Sequence, residues 1–415
     1  MMKKLAYILV VLAMLSLAAG CGSPAAVEEA PVEEEAVEEA AVEEAAVEEA
    51  AVEEAAVEEA AVEEAAVEEA PVEEAARPET GAYWPTEGWR TSTPEEQDMD
   101  STKLDQMMEY IENMDKGGLP INSVLVVRHG HIVLEEYPQP DYDQDTAEDI
   151  RSTTKSFASA LIGIAIEEGF IEGIEQKMVD LFPDRTIENL DSRKESITLE
   201  HMLTMTAGLE WNEWRYPYTD PRNDYLKALY SADPVQYVLD LPMMEEPGVR
   251  WNYNGGTSDL LSALITEATG YDTLSFAQEF LFGPLGISEV SWSQDRHGMY
   301  YAGFGLHLTA RDMAKFGYLY LNNGMWDGEQ IVPADFVAEA VKTQSFFSES
   351  SGYGYQSWWT YPQRGVYYAA GIYGQRIYVV PDLDMVVVFT ASMSVGDPEL
   401  WMREMVFDYI MAACN

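Results

Sequence analysis

The run Phe157-Ala-Ser-Ala-Leu-Ile-Gly-Ile-Ala-Ile166 is apolar on nearly every side of a helix. A helix with no polar face has to be covered all round, so it marks a buried element of a layered domain. At its head stands Ser152-Thr153-Thr154-Lys155. Residues three apart lie on one helix face, which puts Lys155 beside Ser152. A serine hydroxyl is a poor nucleophile until a base comes within hydrogen-bond reach. A lysine drawn into apolar surroundings loses hydration and becomes able to accept or relay a proton. The pair suits nucleophilic catalysis by Ser152, although Ser-x-x-Lys is a short pattern and Ser152 also fits a plain N-cap.

The N-terminal end belongs to targeting. Met1-Met2-Lys3-Lys4 is a basic head, and Leu5 to Leu17 is an apolar run too short for a stable span, so residues 1–20 read as a signal peptide. Leu17-Ala18-Ala19-Gly20-Cys21 resembles a bacterial lipobox, with Ala18 where leucine is usual. It implies that Cys21 is lipidated and anchors an exported chain to the cell envelope, or that the chain is secreted if Cys21 is not lipidated. From Val27 to Ala75 a Val-Glu-Glu-Ala-Ala unit repeats. Valines five apart advance about 140° round a helix and form no apolar stripe. Glutamates four apart, such as Glu29 and Glu33, repel. Residues 21–81 therefore read as an acidic low-complexity stalk, and 82–415 as one large domain.

The net charge is −50, of which the repeat accounts for 21 glutamates, so the remainder is still strongly acidic. Nucleic acid and anionic membrane surface are poor partners for such a body. The chain has two cysteines, Cys21 and Cys414; with Cys21 committed to an anchor, no internal disulfide framework exists. His129 and His131 flank the glycine of a hairpin, and no second ligand pair follows, so no metal is expected. No cofactor is expected, and nothing bears on oligomeric state.

Ser101 to Met114 has the period of an amphipathic helix. Ser123–Arg128 and His131–Tyr137 read as strands joined at Gly130. Ile197 to about Ala340 is mostly helical in pattern, with turns at Gly208, Pro247-Gly248, Gly255-Gly256 and Asn323-Gly324. Strands return at Val366–Ala369, Arg376–Val380 and Met385–Phe389, and a last helix is expected from about Asp397 to Met411. Strands at both ends with helices between predict an α+β fold: one mostly antiparallel sheet built from both ends of the domain, flanked by helices, with an inserted α-rich lobe. A cleft between sheet and lobe is the natural place for a site.

Two more segments carry chemistry. In Gly248-Val-Arg-Trp-Asn-Tyr253-Asn254-Gly255-Gly256 a tyrosine sits in a glycine-flanked loop before an apolar helix, where it can be oriented tightly. Beside a lysine cation a phenol can serve as general base; a packed core tyrosine is the alternative in a chain with 24 tyrosines. In Ala369-Ala-Gly371-Ile372-Tyr373-Gly374-Gln375 the glycines allow close backbone approach, and an N–H there can join that of Ser152 to hold an oxyanion.

With these three motifs in order, the sequence from Ser123 onward resembles the serine β-lactamase and penicillin-binding-protein superfamily, in its class C-like branch of esterases, D-amino-acid peptidases and nylon-oligomer hydrolases. Val126-Val-Arg-His-Gly130, Leu203-Thr-Met-Thr-Ala-Gly-Leu209 and Asp312-Met-Ala-Lys-Phe-Gly317 look like segments of that group, as does Gly374-Gln375 ahead of Val379-Val-Pro381. The resemblance implies Ser152 as nucleophile, with Lys155 and Tyr253 handling its proton. The residue after the family's Lys-Thr-Gly triplet maps to Gln375, whose N–H would complete the oxyanion site, with Ile372, Tyr373, Gly374 and Asn254 around the substrate.

Two departures stand out. Tyr253-Asn254-Gly255 lacks the third-position asparagine of Tyr-x-Asn, for which Asn254 or Asn252 is a candidate replacement. Ile372-Tyr373-Gly374 lacks the cation and hydroxyl that grip a substrate carboxylate, and strand alternation turns Arg376 away from that role. The resemblance then implies an exported hydrolase of small esters or amides, neutral or cationic, acting through an acyl-enzyme. A D-amino-acid peptidase or weak β-lactamase acting on the cell wall is the second reading, and a catalytically silent envelope binding protein the third. Trp211, Trp214, Trp251, Trp358 and Trp359 are expected in the core, with the cleft wall as the alternative.

Overall fold

A computed structural model describes residues 83–348, 350–393 and 398–414. The expected signal peptide of residues 1–20, Cys21 and the Val-Glu-Glu-Ala-Ala repeat lie outside the described residues. Nine strands form the main sheet: β1 (Arg90–Thr91), β2 (Ile121–Arg128), β3 (His131–Glu136), β4 (Ser345–Ser348), β5 (Ser351–Tyr353), β6 (Trp358–Tyr361), β7 (Val366–Gly371), β8 (Gln375–Val380) and β9 (Met385–Ala391). Their order is β1-β3-β2-β9-β8-β7-β6-β5-β4, antiparallel except for the β1/β3 pair. The two ends of the domain meet at β2 and β9, where Val387 pairs with Val126 and Phe389 with Val124. The β2–β3 turn has positive φ at His129 (48°) and Gly130 (73°), the backbone that a two-residue hairpin requires.

Alternation along the strands gives the sheet two apolar faces. Val386, Val388, Ile377, Val379, Leu125 and Val127 belong to the core shared with the helical lobe. Their neighbours Met385, Val387, Phe389, Tyr378 and Val126 belong to a second core. That second core is covered by helix α1 (Ser101–Lys116) and the C-terminal segment. Asp100 caps α1 by accepting the Thr102 N–H, and Leu104, Met107, Ile111 and Met114 form its buried stripe. Each such side chain contributes about 1.5–3 kcal/mol on burial.

Helix α2 (Thr154–Glu167) is the run that opened the sequence. Every residue from Thr154 to Ala165 is buried. It packs against helix α4 (Gly255–Thr269), and Phe157 stacks on Phe316 of helix α5 (Ala310–Leu321) with ring centroids 3.7 Å apart. Helix α3 (Asp224–Leu229) shares a cavity with Ser152 and Lys155 at the N-terminal end of α2, through Tyr225, Leu226 and Leu229. The last described helix, α6 (Pro398–Glu404), continues in π and 3-10 turns to Cys414.

The α+β architecture expected from the sequence is present, with two additions. Ser345–Tyr361, left without strands in the sequence reading, supplies β4, β5 and β6. A three-stranded sheet of Glu148–Asp149, Leu306–Leu308 and Ser291–Trp292 lies inside the lobe and fixes Asp149 just ahead of Ser152.

Candidate active site

Ser152 lies in a 3-10 turn, Arg151–Thr153, that feeds α2. Arg151 before it has φ 53°, a left-handed backbone that costs a residue with a Cβ on the order of 1–3 kcal/mol. Asp149 holds it there: its carboxylate accepts the Arg151 N–H at 2.9 Å and the Arg151 guanidinium at 2.8 Å. Thr153 and Thr154 turn inward and are fully buried, which leaves Ser152 facing the cleft.

Lys155 follows one turn on, 2 % exposed. Its Nζ donates to the Gly303 carbonyl at 2.7 Å and to Ser152 Oγ at 3.3 Å. Tyr253 arrives from a loop 101 residues away and puts its hydroxyl 2.9 Å from Ser152 Oγ. Trp214 stacks on the Tyr253 ring at 5.3 Å, Trp251 and Tyr353 pack around it, and Lys155 Nζ lies 5.0 Å from its centroid. Ser152 Oγ therefore faces an ammonium and a phenol at once, the ammonium held by the buried Gly303 carbonyl and the phenol ring stacked on Trp214.

Neither candidate for the missing asparagine points into the site. Asn254 is the N-cap of α4 and accepts the Thr257 N–H at 3.0 Å. Asn252 donates to the Trp211 carbonyl at 2.8 Å. The polar group beside position 255 is Glu213, which sequence reasoning missed. Its buried carboxylate accepts the Gly255 N–H at 2.6 Å, the Trp211 indole N–H at 3.0 Å and the Tyr218 hydroxyl at 2.6 Å. A Cβ on residue 255 would stand 2.9 Å from Glu213 Oε2, so glycine there makes room for the carboxylate. Nothing local marks Glu213, since the contact spans 42 residues.

The third motif differs in register from the sequence reading. Strand β7 runs to Gly371, and Ile372–Gly374 form the turn into β8, with Tyr373 at φ 67°. Gln375 pairs across from Gly371 as the first residue of β8. Its side chain donates to the Ala391 carbonyl, and it lines a separate polar cavity with Glu148 and His307. Gln375 touches the Ser152 turn through its carbonyl, which accepts the Thr153 hydroxyl at 3.3 Å, and Gly371 approaches Ser152 itself. A Cβ there would lie 2.5 Å from the Ile150 carbonyl and 3.1 Å from Ser152 N. The peptide next to Ser152 thus leads into Ile372, not Gln375; Gly374 instead packs on Met402 and Ala391. The glycine at 374 drew the triplet three residues too far along the chain.

Arg376 also departs from expectation, because it does line the cleft. Its Nε bonds Glu399 at 2.8 Å, and Nη1 bonds the Gly371 and Gln375 carbonyls at 2.5 and 3.0 Å. It braces the end of β7 where Gly371 meets the Ser152 turn.

Two cavities open from Ser152. The larger, about 570 Å³, has walls of Trp214, Tyr253, Phe347, Trp359 and Tyr368. The smaller, about 210 Å³, is lined by Lys155, Glu213, Leu226, Leu229 and Phe304. Ile372 and Tyr218 border both. Of the tryptophans, Trp211 and Trp358 are in the core, Trp214 and Trp359 are in the cleft wall, and Trp251 packs behind Tyr253.

An activated serine beside a shaped cleft, on this sheet-and-lobe scaffold, is the equipment of a serine hydrolase of the esterase and amidase type. The chain belongs to the beta-lactamase family, whose model matches residues 103–403. It is 26 % identical over 302 residues to the 6-aminohexanoate-dimer hydrolase of Paenarthrobacter ureafaciens, covering 68 % of this chain and 74 % of the relative. Among solved structures, the octameric penicillin-binding protein homologue from Pyrococcus abyssi superposes with a TM-score of 0.61 at 20 % identity, covering 75 % and 78 % of the two chains. A family VIII carboxylesterase does so with a TM-score of 0.57 at 15 % identity, covering 75 % and 96 %. These two likenesses are of fold.

Proposed function

We propose that this chain hydrolyses small esters, and amides more slowly, through an acyl-enzyme on Ser152. The observation that carries the reading is Ser152 Oγ lying 2.9 Å from Tyr253 Oη and 3.3 Å from Lys155 Nζ, where two cavities meet. The Tyr253–Lys155 pair, both members within reach of Oγ, takes up the serine proton while Oγ attacks the carbonyl carbon. The backbone N–H groups of Ser152 and Ile372 hold the oxyanion. Tyr253 then returns the proton to the departing oxygen or nitrogen. A water deprotonated by the same group cleaves the acyl-enzyme and frees the acid.

Proton return sets the orientation of the substrate. Tyr253 lines the larger cavity and Lys155 the smaller. The leaving group must be within reach of Tyr253, so it occupies the larger, aromatic-walled cavity. The acyl chain takes the smaller one, against Leu226, Leu229 and Phe304. Short acyl groups on bulky, aromatic leaving groups fit this division.

Cell-wall peptides and β-lactams fit less well. In either register of the third motif, Ala369-Ala370-Gly371 or Ile372-Tyr373-Gly374, the lysine and threonine are missing. A charge-assisted hydrogen bond to a carboxylate is worth about 1.5–3 kcal/mol, roughly tenfold to hundredfold in affinity. The reading also includes export and attachment to the cell envelope through lipid on Cys21, supported by the basic head, apolar run and lipobox-like segment.

Labelling the full chain with a fluorophosphonate, beside Ser152→Ala, tests the nucleophile. Turnover of p-nitrophenyl acetate and nitrocefin in parallel tests the substrate. An adduct on Ser152 with ester turnover far above nitrocefin turnover supports the reading; no adduct and no turnover sinks it.

A further inference from the structure

The mechanism above leaves one buried acid unused. Asp259 lies on α4, six residues after Tyr253, and its side chain is sealed inside the lobe. One carboxylate oxygen accepts the Gly303 N–H at 2.9 Å and the other the Tyr225 hydroxyl of α3 at 2.8 Å. Gly303 offers its own carbonyl to Lys155 Nζ at 2.7 Å, and Lys155 reaches Ser152 Oγ. The chain of contacts runs from carboxylate to backbone to ammonium to nucleophile.

We infer that Asp259 is a positioning residue for Lys155. It pins Gly303 so that the carbonyl aims the ammonium at Ser152, and its negative charge balances that ammonium inside the lobe. This rests on the reading of Ser152 and Lys155 given above. An unpaired ammonium is costly to bury, and a carboxylate one residue removed offsets that cost without capturing the lysine in a direct ion pair.

The surroundings make the charge on Asp259 responsive to pH. Burial pushes its carboxyl up to about 7, against the opposing pull of the Gly303 N–H, the Tyr225 hydroxyl and the Lys155 charge, while Glu213 raises it further. The titratable groups facing it are Lys155 from α2, Tyr225 from α3, Glu213 from the loop before α3, and Tyr301 from the Gly303 loop. Ionisation of Asp259 above about pH 7 completes the counter-charge, so activity rises with pH through that region.

The test uses the full chain and p-nitrophenyl acetate, with kcat and KM measured between about pH 5 and 9, and the rate of fluorophosphonate labelling followed over the same range. Asp259→Asn keeps an acceptor for the Gly303 N–H and removes the charge. It is expected to lower kcat on the order of 10²-fold with little change in KM, the cost of a misplaced catalytic group. The rise in activity near pH 7 should vanish with it. Tyr225→Phe keeps the charge and removes one donor that favours it, so the midpoint of that rise should move to higher pH. If Asp259→Asn does not fold, the Tyr225→Phe midpoint decides the matter. The inference is overturned if Asp259→Asn stays within about twofold of wild-type kcat with a superimposable pH profile, or if Tyr225→Phe leaves the midpoint unmoved. Absence of a Ser152 adduct in the wild type would instead refute the underlying assignment of the nucleophile.

Discussion

Gly371→Ala isolates the geometry of the oxyanion site. Gly371 has φ −125° and ψ 153°, extended backbone that alanine adopts freely, so the substitution carries no conformational penalty of its own. The added methyl is the whole perturbation. It would stand 2.5 Å from the Ile150 carbonyl, 2.9 Å from Arg151 Cβ and 3.1 Å from Ser152 N, where ordinary contact begins at 3.4 Å. Two of these neighbours are backbone and the third is the Cβ of a residue already held at φ 53°, so no flexible side-chain end can yield. Strand β7 and the Ser152 turn must separate by up to about 0.9 Å, the shortfall at Ile150. That displaces the Ile372 N–H relative to Ser152. Losing one oxyanion donor costs about 10²–10³ in kcat, or about 2.7–4 kcal/mol of transition-state stabilisation. The overpacking itself costs about 1–3 kcal/mol of stability, tolerable for a domain with cores this large. Steady-state turnover of p-nitrophenyl acetate, with circular dichroism and thermal unfolding as controls, reads both. A folded Gly371→Ala enzyme within about tenfold of wild-type kcat would refute the claim that Gly371 sets the oxyanion geometry.

Tyr253→Phe removes the proton carrier while keeping the ring stacked on Trp214; kcat should fall by about 10²–10⁴, with the fold intact by circular dichroism. Asp259 links stability to pH as well as activity. Its folded-state carboxyl near 7 lies above the unfolded value of about 3.9, so the unfolded chain releases its proton first as pH rises. The stability it contributes is full below about pH 4 and is lost toward pH 7, on the order of 4 kcal/mol. Urea unfolding at acidic and neutral pH should show a shallower decline in Asp259→Asn than in the wild type; equal declines would count against the assignment. Cys21→Ala should move the protein from the membrane fraction to the soluble fraction of its host, and metabolic labelling with palmitate should be lost together with it.

Much of the architecture was legible because its causes are local. The four-residue Leu104–Met107–Ile111–Met114 stripe, the Gly130 hairpin and the alternating strands at both ends each bury one face through neighbours in sequence, and each appears where expected. Strands β4 to β6 escaped notice because Ser345–Tyr361 mixes serine and glycine with exposed aromatics. Phe346 and Phe347 are largely exposed, so the segment has no clean period-two pattern to detect.

The site divides along the same line. Ser152 and Lys155 are helical neighbours, and a helix determines their proximity whatever surrounds it. What the sequence by itself determined is this pair, the sheet and lobe around it, and the lost lysine and threonine of the third motif. Tyr253 was named from its motif, but its 2.9 Å approach to Ser152 Oγ was decided by the tertiary structure, as were the Glu213 carboxylate over Gly255, the Asp259–Gly303 support behind Lys155 and the close approach of Gly371 to Ser152. Those contacts depend on how α4, the Gly303 loop and the end of β7 pack on α2, and packing is set by the complementarity of whole surfaces, which no local spacing encodes.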